Sequence, residues 1–504
     1  MYLPPLKTFT LLSTVTTVII VAHQKGIGII SWIINRYLTW KHPISSLDKT
    51  RSIPTCPYQW PNGQGDVQKF LEGEKNSDAW GKTHGRVYRI WSGTTPEIVL
   101  THPDDVQTAF NDSDKHSKAV NNDAGWLMGE LLGKCLGLLS GVEWQKVRDV
   151  TITPFTHKNV ATYITRATEI SREHFRDLQV SKGLGKNAIN PVDDLRFLPF
   201  WVLADIIYGE LTSELKLVLK DLIPLRESLF KRMIEGGVTR FSYSQYLPTG
   251  TNKDLRKFKK KWTEFNDAAC FGCRLAKEDT LIVLMYEAVK RGRVTPEQLH
   301  QTLDEMLFAN LDVTIGGISW NLLFLADNQD VQAQLREEIF LMRKSKDEKK
   351  WEQYLLGSST LLAASISESA RLRPLAAFSV PQSAPTDRII GGFNIPAGTN
   401  FIVDTHALNI RNPYWGSNSE KYRPKRFLGR KATKMRYQYW RFGFGPRQCM
   451  GKYVADLIIR VLLTHLVANY RLSLSQKSSW DKNPSVWITH PDTEIICHRV
   501  SLAE

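Results

Sequence analysis

The chain has 504 residues, 42% of them apolar and 23% charged, with a formal net charge of +15. That composition excludes a disordered or fibrous chain, and six scattered cysteines (Cys56, Cys135, Cys270, Cys273, Cys449, Cys497) exclude a disulfide framework and fit a reducing compartment. Length alone suggests about three domains, but no Gly/Ser or Pro-rich linker, repeat or low-complexity tract divides the sequence. One large domain over 51–504 is therefore expected behind an N-terminal segment, 1–50.

That segment opens with an uncharged run, Phe9 to Ala22, preceded by Lys7. It is short for a bilayer, which needs roughly 20 apolar residues. Its length would suit a signal-peptide core, yet no small-x-small cleavage site follows. A retained single-pass anchor is expected, with the stretch from Gly26 to Trp40 lying at the membrane interface through Trp32 and Tyr37. Lys25, Arg36, Lys41 and Arg51 after the run, against Lys7 before it, put the large domain on the cytosolic side. Ile53-Pro54, Pro57 and Pro61 then read as a stiff hinge.

Further along, Arg86 to Trp91, Glu97 to Leu100, and Phe401 to Asp404 behind a Pro396-Ala397-Gly398 turn read as short strands. Helical patterns dominate between them, so the expected fold is mainly α with a small β-rich lobe. Trp144 and Arg148 stand at i and i+4 on one helix face. Lys253 to Lys261 reads as a solvated helix or a membrane-facing surface. Cys270-Phe271-Gly272-Cys273 is a lone Cys-x-x-Cys without the second pair that zinc needs. Thr295-Pro296-Glu297-Gln298 is a capping box with proline at the first helical position. It opens a predicted helix of about 32 residues, roughly 48 Å long, that stops at Asp327-Asn328. Asp312 and Thr314 lie at its middle. An Asp bonded to local backbone would explain Asp312 alone. Glu368 and Arg371 share a face of a helix running from Thr360 to Pro374, either as a surface pair or as a buried one.

From Lys421 to Lys452 there are eleven Lys/Arg and no Asp or Glu. Basic stretches with aromatics bind nucleic acid, but this one ends on Phe442-x-x-Gly445-x-Arg447-x-Cys449-x-Gly451, which opens directly onto an amphipathic run to Tyr470. Glycines permit a tight loop with amides aimed at a sulfur, and a helix start favours an anionic thiolate. Every fixed residue has a task if Cys449 ligates a haem iron: Arg447 pairs with a propionate and Phe442 shields the thiolate from water.

The motif resembles the haem-binding loop of the cytochrome P-450 superfamily, and the other signals fit the resemblance. In that family a Trp-x-x-x-Arg pair contacts a propionate, which assigns Trp144 and Arg148. A buried Glu-x-x-Arg pair is completed by a downstream arginine, here Arg426 of Pro424-Lys425-Arg426-Phe427, as structural scaffold. The oxygen-activating helix carries Ala/Gly-Gly-x-Asp/Glu-Thr. Asp312 matches the acid, Asn310 replaces glycine, Val313 takes the threonine position and Thr314 comes one residue late, about 100° round the helix. Thr314 is expected to reach in through a distorted turn, helped by Gly316 and Gly317; water or a substrate group is the alternative.

What the resemblance implies is a haem-thiolate monooxygenase with haem b, inserting one oxygen atom into a small, moderately hydrophobic organic substrate. NADPH electrons would come through a separate reductase, because no dinucleotide or flavin fingerprint is present. Catalytic candidates are Asp312, Thr314 and Cys449; cofactor-binding candidates are Trp144, Arg148, Phe442, Arg447 and Cys449, with Cys449 the metal ligand. Phe308, Leu311, Leu375 to Val380 and Trp487 are expected to face substrate. The basic stretch is expected to dock an acidic redox partner rather than nucleic acid. The chain is similar to endoplasmic-reticulum enzymes of fungal secondary metabolism. Its rivals are a haem-thiolate isomerase or dehydratase needing no reductase, and a non-enzymatic haem sensor.

Overall fold

A computed structural model describes residues 26–118, 125–181, 183–430, 432–484 and 486–500. The uncharged run from Phe9 to Ala22 lies outside the described residues. Residues 26–41 form a helix whose inner side is fixed to the globule: the Asn35 side-chain oxygen accepts from the Tyr58 amide (3.1 Å) and from the Trp91 indole (3.3 Å). Leu38 packs with Tyr58 and Trp91, while Ile29, Trp32, Ile33, Tyr37 and Trp40 are exposed. The following prolines, expected as a stiff hinge, are packed into the globule. Ile53, Cys56 and Tyr58 are buried, and the segment runs beside the first strand, with the Cys56 amide donating to the Arg89 carbonyl and the Arg89 amide to that of Pro54 (both 2.8 Å). Proline carbonyls still accept, so the stretch is drawn into the sheet lobe.

The strands in chain order are β1 Val87–Ser92, β2 Thr95–Leu100, β3 Ser117–Lys118, β4 Ala188–Ile189, β5 Gln382–Ser383, β6 Arg388–Ile390, β7 Phe393–Ile395, β8 Asn400–Val403, β9 Tyr470–Leu474 and β10 Ile495–Arg499. The largest sheet has the order β1-β2-β8-β5-β3. β1 and β2 pair antiparallel, and β2 pairs parallel with β8, Glu97 opposite Asn400 and Leu100 opposite Val403. All three regions expected to be extended are strands. β1 and β8 are buried on both faces along their whole length, Arg89 and Ser92 of β1 and Asn400 of β8 included, as in a covered strand. The remaining described chain is mostly helix, in agreement with a mainly α fold carrying small sheets.

The capping box at Thr295 forms as expected, with the Thr295 hydroxyl accepting from the Gln298 amide and the Gln298 side chain returning to the Thr295 amide. The helix behind it departs from expectation. It is two helices, Pro296–Phe308 and Val313–Asp327, joined by a 3-10 turn, Ala309–Leu311. Span 296–327 is long and apolar enough to cross a membrane, but most of it is buried as the central element of the protein. Three side chains on its first half hold a neighbouring loop by its amides. Gln301 accepts from Lys134 (2.6 Å), Thr302 from Leu136 (3.2 Å) and Glu305 from Gly137 (2.9 Å). That loop leads into the helix Gly141–Thr151 that carries Trp144 and Arg148.

The helix Leu361–Leu372 starts at the Thr360 cap, and its Glu368 and Arg371 are both fully buried. Arg371 grips Glu368 through two contacts of 2.8 and 2.9 Å, Arg426 adds a third at 3.0 Å, and the Arg423 amide donates to the same carboxylate (3.0 Å). Arg371 also donates to the carbonyls of Asn409 and Ser419 and lies over the Trp415 ring. A buried charge group survives only when fully paired in this way.

Candidate active site

Cys449 sits on a loop shaped by glycines. Gly443 (φ +82°) and Gly445 (φ +67°) occupy the left-handed region, and a Cβ on Gly445 would meet the Ser113 hydroxyl at 2.2 Å. Gly451, at the start of the helix Lys452–Asn469, has an ordinary φ of −78°. An added Cβ there would make only an ordinary contact with Cys449 Sγ, at 3.9 Å, and what Gly451 gives the sulfur is its backbone amide. The Cys449 amide donates to the Phe442 carbonyl (2.8 Å), closing the loop. Sγ faces a cavity of about 1080 Å³ that also takes in the broken helix. Enclosure by protein raises the thiol pKa, opposed by the Gly451 amide and by the nearby Lys452 and Arg441 charges. A group that binds sulfur as thiolate would reverse that balance.

Beside the loop is a cluster of cations. The Arg447 guanidinium lies 4.5 Å from the Trp144 ring centroid and Arg148 5.5 Å from it. Arg447 donates to the Leu139 carbonyl (2.6 Å) through one nitrogen, while its buried Nη1 has no partner. Burial pushes Arg447 down to about 10. Lys118, on β3, lines the same wall and is pushed down to about 8, by burial first and by Arg447 second. Glu305 is the acid facing this group, and it is already bonded to the Gly137 amide. An orphaned guanidinium nitrogen and crowded cations fit a ligand bearing carboxylates, as haem does, with Cys449 below. Phe442 is covered by Arg441, which is tied to Asp456.

The same cavity is lined by Asn310, Asp312, Val313 and Thr314 at the break in the central helix and by Gly317 beyond it. The break is not at Gly316 and Gly317. It lies where Asn310 Nδ2 donates back to the Met306 carbonyl (2.7 Å) and Arg196 Nε donates to the Leu311 carbonyl (3.3 Å). Side chains that take helix carbonyls in this manner loosen the backbone ladder. Thr314 is buried, and its hydroxyl donates to Asn310 Oδ1 (2.6 Å). Asp312 is paired with Arg196 (3.2 Å), which also holds Glu227. Phe308, Leu311, Leu375, Ala376, Phe378, Ser379, Val380 and Trp487 line the cavity as expected of them. Ala377 does not: it packs in a separate cluster with Tyr88 and against Gly73.

Sequence reasoning missed Lys118, Arg196 and Glu227. Lys118 lies on a two-residue strand too short to leave a pattern, and Arg196 meets Asp312 only through the fold. Cys270 and Cys273 are buried, and no group of three metal-ligating side chains occurs among the described residues. Of the basic stretch, Lys421, Arg423, Lys425, Arg430, Lys434 and Arg436 are exposed. Arg426, Arg441 and Arg447 are spent inside, and Lys431 lies outside the described residues.

A family model described as Cytochrome P450 matches residues 67–498. The protein described as cytochrome P450 monooxygenase aclC of Aspergillus oryzae is 55% identical over 471 residues, 92% of this chain and 95% of its own. Monooxygenase asaD of Aspergillus flavus is 46% identical over 471 residues, with 94% and 91% covered. Monooxygenase gliC of Aspergillus fumigatus is 39% identical over 479 residues, covering 93% of each chain.

Proposed function

Because the chain belongs to the cytochrome P450 family, we propose that it is a haem-thiolate monooxygenase of secondary-metabolite biosynthesis. It inserts one oxygen atom from O2 into a moderately hydrophobic organic substrate. The observation that carries this reading is the Cys449 sulfur facing a largely apolar cavity beside an unpartnered Arg447 nitrogen. Haem b, held by Cys449, supplies oxygen activation. Trp144, Arg148 and Arg447, with Lys118, hold its carboxylates, and Phe442 keeps water from the sulfur. Phe308, Leu311 and Trp487 exclude water and orient the substrate.

Asp312 and Thr314 manage protons on the opposite wall. The Arg196 pair holds the Asp312 carboxylate at the edge of the cavity, where it can exchange protons with water. Electrons from NADPH arrive through a separate reductase docked on the exposed cations between Lys421 and Arg436. Residues 1–50 serve as membrane anchor and interfacial segment at the endoplasmic reticulum, with 51–504 as the cytosolic catalytic domain. The exposed Trp32, Tyr37 and Trp40 support this. The test is a reduced carbon-monoxide difference spectrum, followed by NADPH consumption with reductase and candidate substrates. Turnover that needs neither NADPH nor oxygen would replace this reading with a haem-thiolate isomerase or dehydratase.

A further inference from the structure

Asn310 fixes which way the hydrogen bonds run at the helix break. A main-chain carbonyl only accepts, so the Met306 carbonyl 2.7 Å away requires the nitrogen end of the Asn310 carboxamide. The oxygen end must then face Thr314, 2.6 Å away, and an amide oxygen only accepts. The single hydroxyl hydrogen of Thr314 is therefore directed into Asn310. A side-chain flip is ruled out by the same pair of partners, because it would set oxygen against the Met306 carbonyl.

We propose that Asn310 is a positioning residue that turns the Thr314 hydroxyl into a pure acceptor towards the cavity. The inference rests on the haem-thiolate reading above and deepens it. With its proton committed, Thr314 presents only lone pairs beside Val313, which has no polar atom. A proton needed on this wall is carried by another donor, a water or a substrate hydroxyl or amide, hydrogen-bonded to Thr314 Oγ1. The substitution of Asn for glycine and the one-residue displacement of the threonine form one unit: across the 3-10 turn the Thr314 hydroxyl meets the Asn310 carboxamide at 2.6 Å. A threonine at 313 would stand about 100° away.

The experiment reads the C–O stretching frequency of the reduced carbonyl complex, which falls when a donor points at the bound oxygen and rises beside lone pairs. Asn310→Leu keeps the side-chain shape, removes the acceptor and frees the Thr314 proton, so the stretch should move to lower frequency. Product per NADPH should fall several-fold, with peroxide released. Adding Thr314→Ala to Asn310→Leu should leave the stretch at the value of Thr314→Ala alone. Asn310→Asp retains an acceptor for Thr314 and should keep the parent frequency even where stability drops. An unchanged frequency in Asn310→Leu, with an intact thiolate Soret band, overturns the inference. Absence of that band in the parent protein would instead overturn the haem-thiolate reading itself.

Discussion

At the scale of single residues, the proposed chemistry depends most on Cys449, whose spacing in sequence marks a loop that the structure closes through the Phe442 carbonyl beside a cavity. Gly445 takes the left-handed backbone expected of a tight loop, whereas Gly451 has an ordinary φ and acts on the sulfur through its amide. Replacement of Cys449 by His should abolish the reduced-carbonyl Soret band from which the family takes its name. An unchanged band in that variant would remove Cys449 as ligand. Histidines give a second prediction. Burial, reinforced by Arg411, Arg373 and Lys482, pulls His406 down to about 3 from an ordinary 6.5. Above pH 6.5 it is neutral in both folded and unfolded chains and adds nothing. As pH falls the unfolded chain takes the proton first, so stability is lost from about 6.5 towards 3, by about 1.4 kcal/mol per pH unit. His406→Gln should weaken the dependence of Tm on pH between 6.5 and 4, leaving the contributions of the other histidines pulled down chiefly by burial, His465 to about 4 and His116, His174, His300 and His490 in the same direction.

Among the elements, those with local signatures were read correctly and those decided by distant contacts were not. The Thr295 box, the end of the central helix at Asp327 and the Thr360 start were all visible in sequence, since caps are short-range chemistry. The break at 309–312 was not. Its residues keep an apolar helical period, and the groups that open it are Arg196 and the Asn310 carboxamide. The proline stretch after Ile53 misled similarly, because its partner is Arg89 on β1. The Glu368 group gives the prediction at this scale. Glu368→Gln leaves buried Arg371 and Arg426 without their counter-ion and should destabilise the protein by about 3–5 kcal/mol, whereas Arg426→Ala, which keeps the Arg371 pair, should cost less. The measurement is urea unfolding, and a loss below about 1 kcal/mol in Glu368→Gln would mean that the group is not acting as a closed ion network.

For the whole molecule, the stretch from Lys421 to Lys452 divides into exposed cations, the proposed docking face, and inner ones bonded within the fold. Reduction by the electron donor should slow as salt rises, since exposed charges are screened over about 8 Å at physiological ionic strength. Lys425→Glu with Lys434→Glu should slow it several-fold further while leaving the carbonyl spectrum intact. A stopped-flow rate indifferent to both changes would remove this face as the docking surface. The parallel pairing of β2 with β8 bears on how the chain is made. The two strands lie about 300 residues apart, so β2 emerges from the ribosome long before its neighbour exists. At 5–20 residues per second that interval is roughly 15–60 s. The β2 edge of the β1–β2 hairpin, which β8 later covers, is open to strangers throughout. The newborn chain is therefore adhesive midway through translation, and shielding by a chaperone over that interval should raise the yield of folded protein.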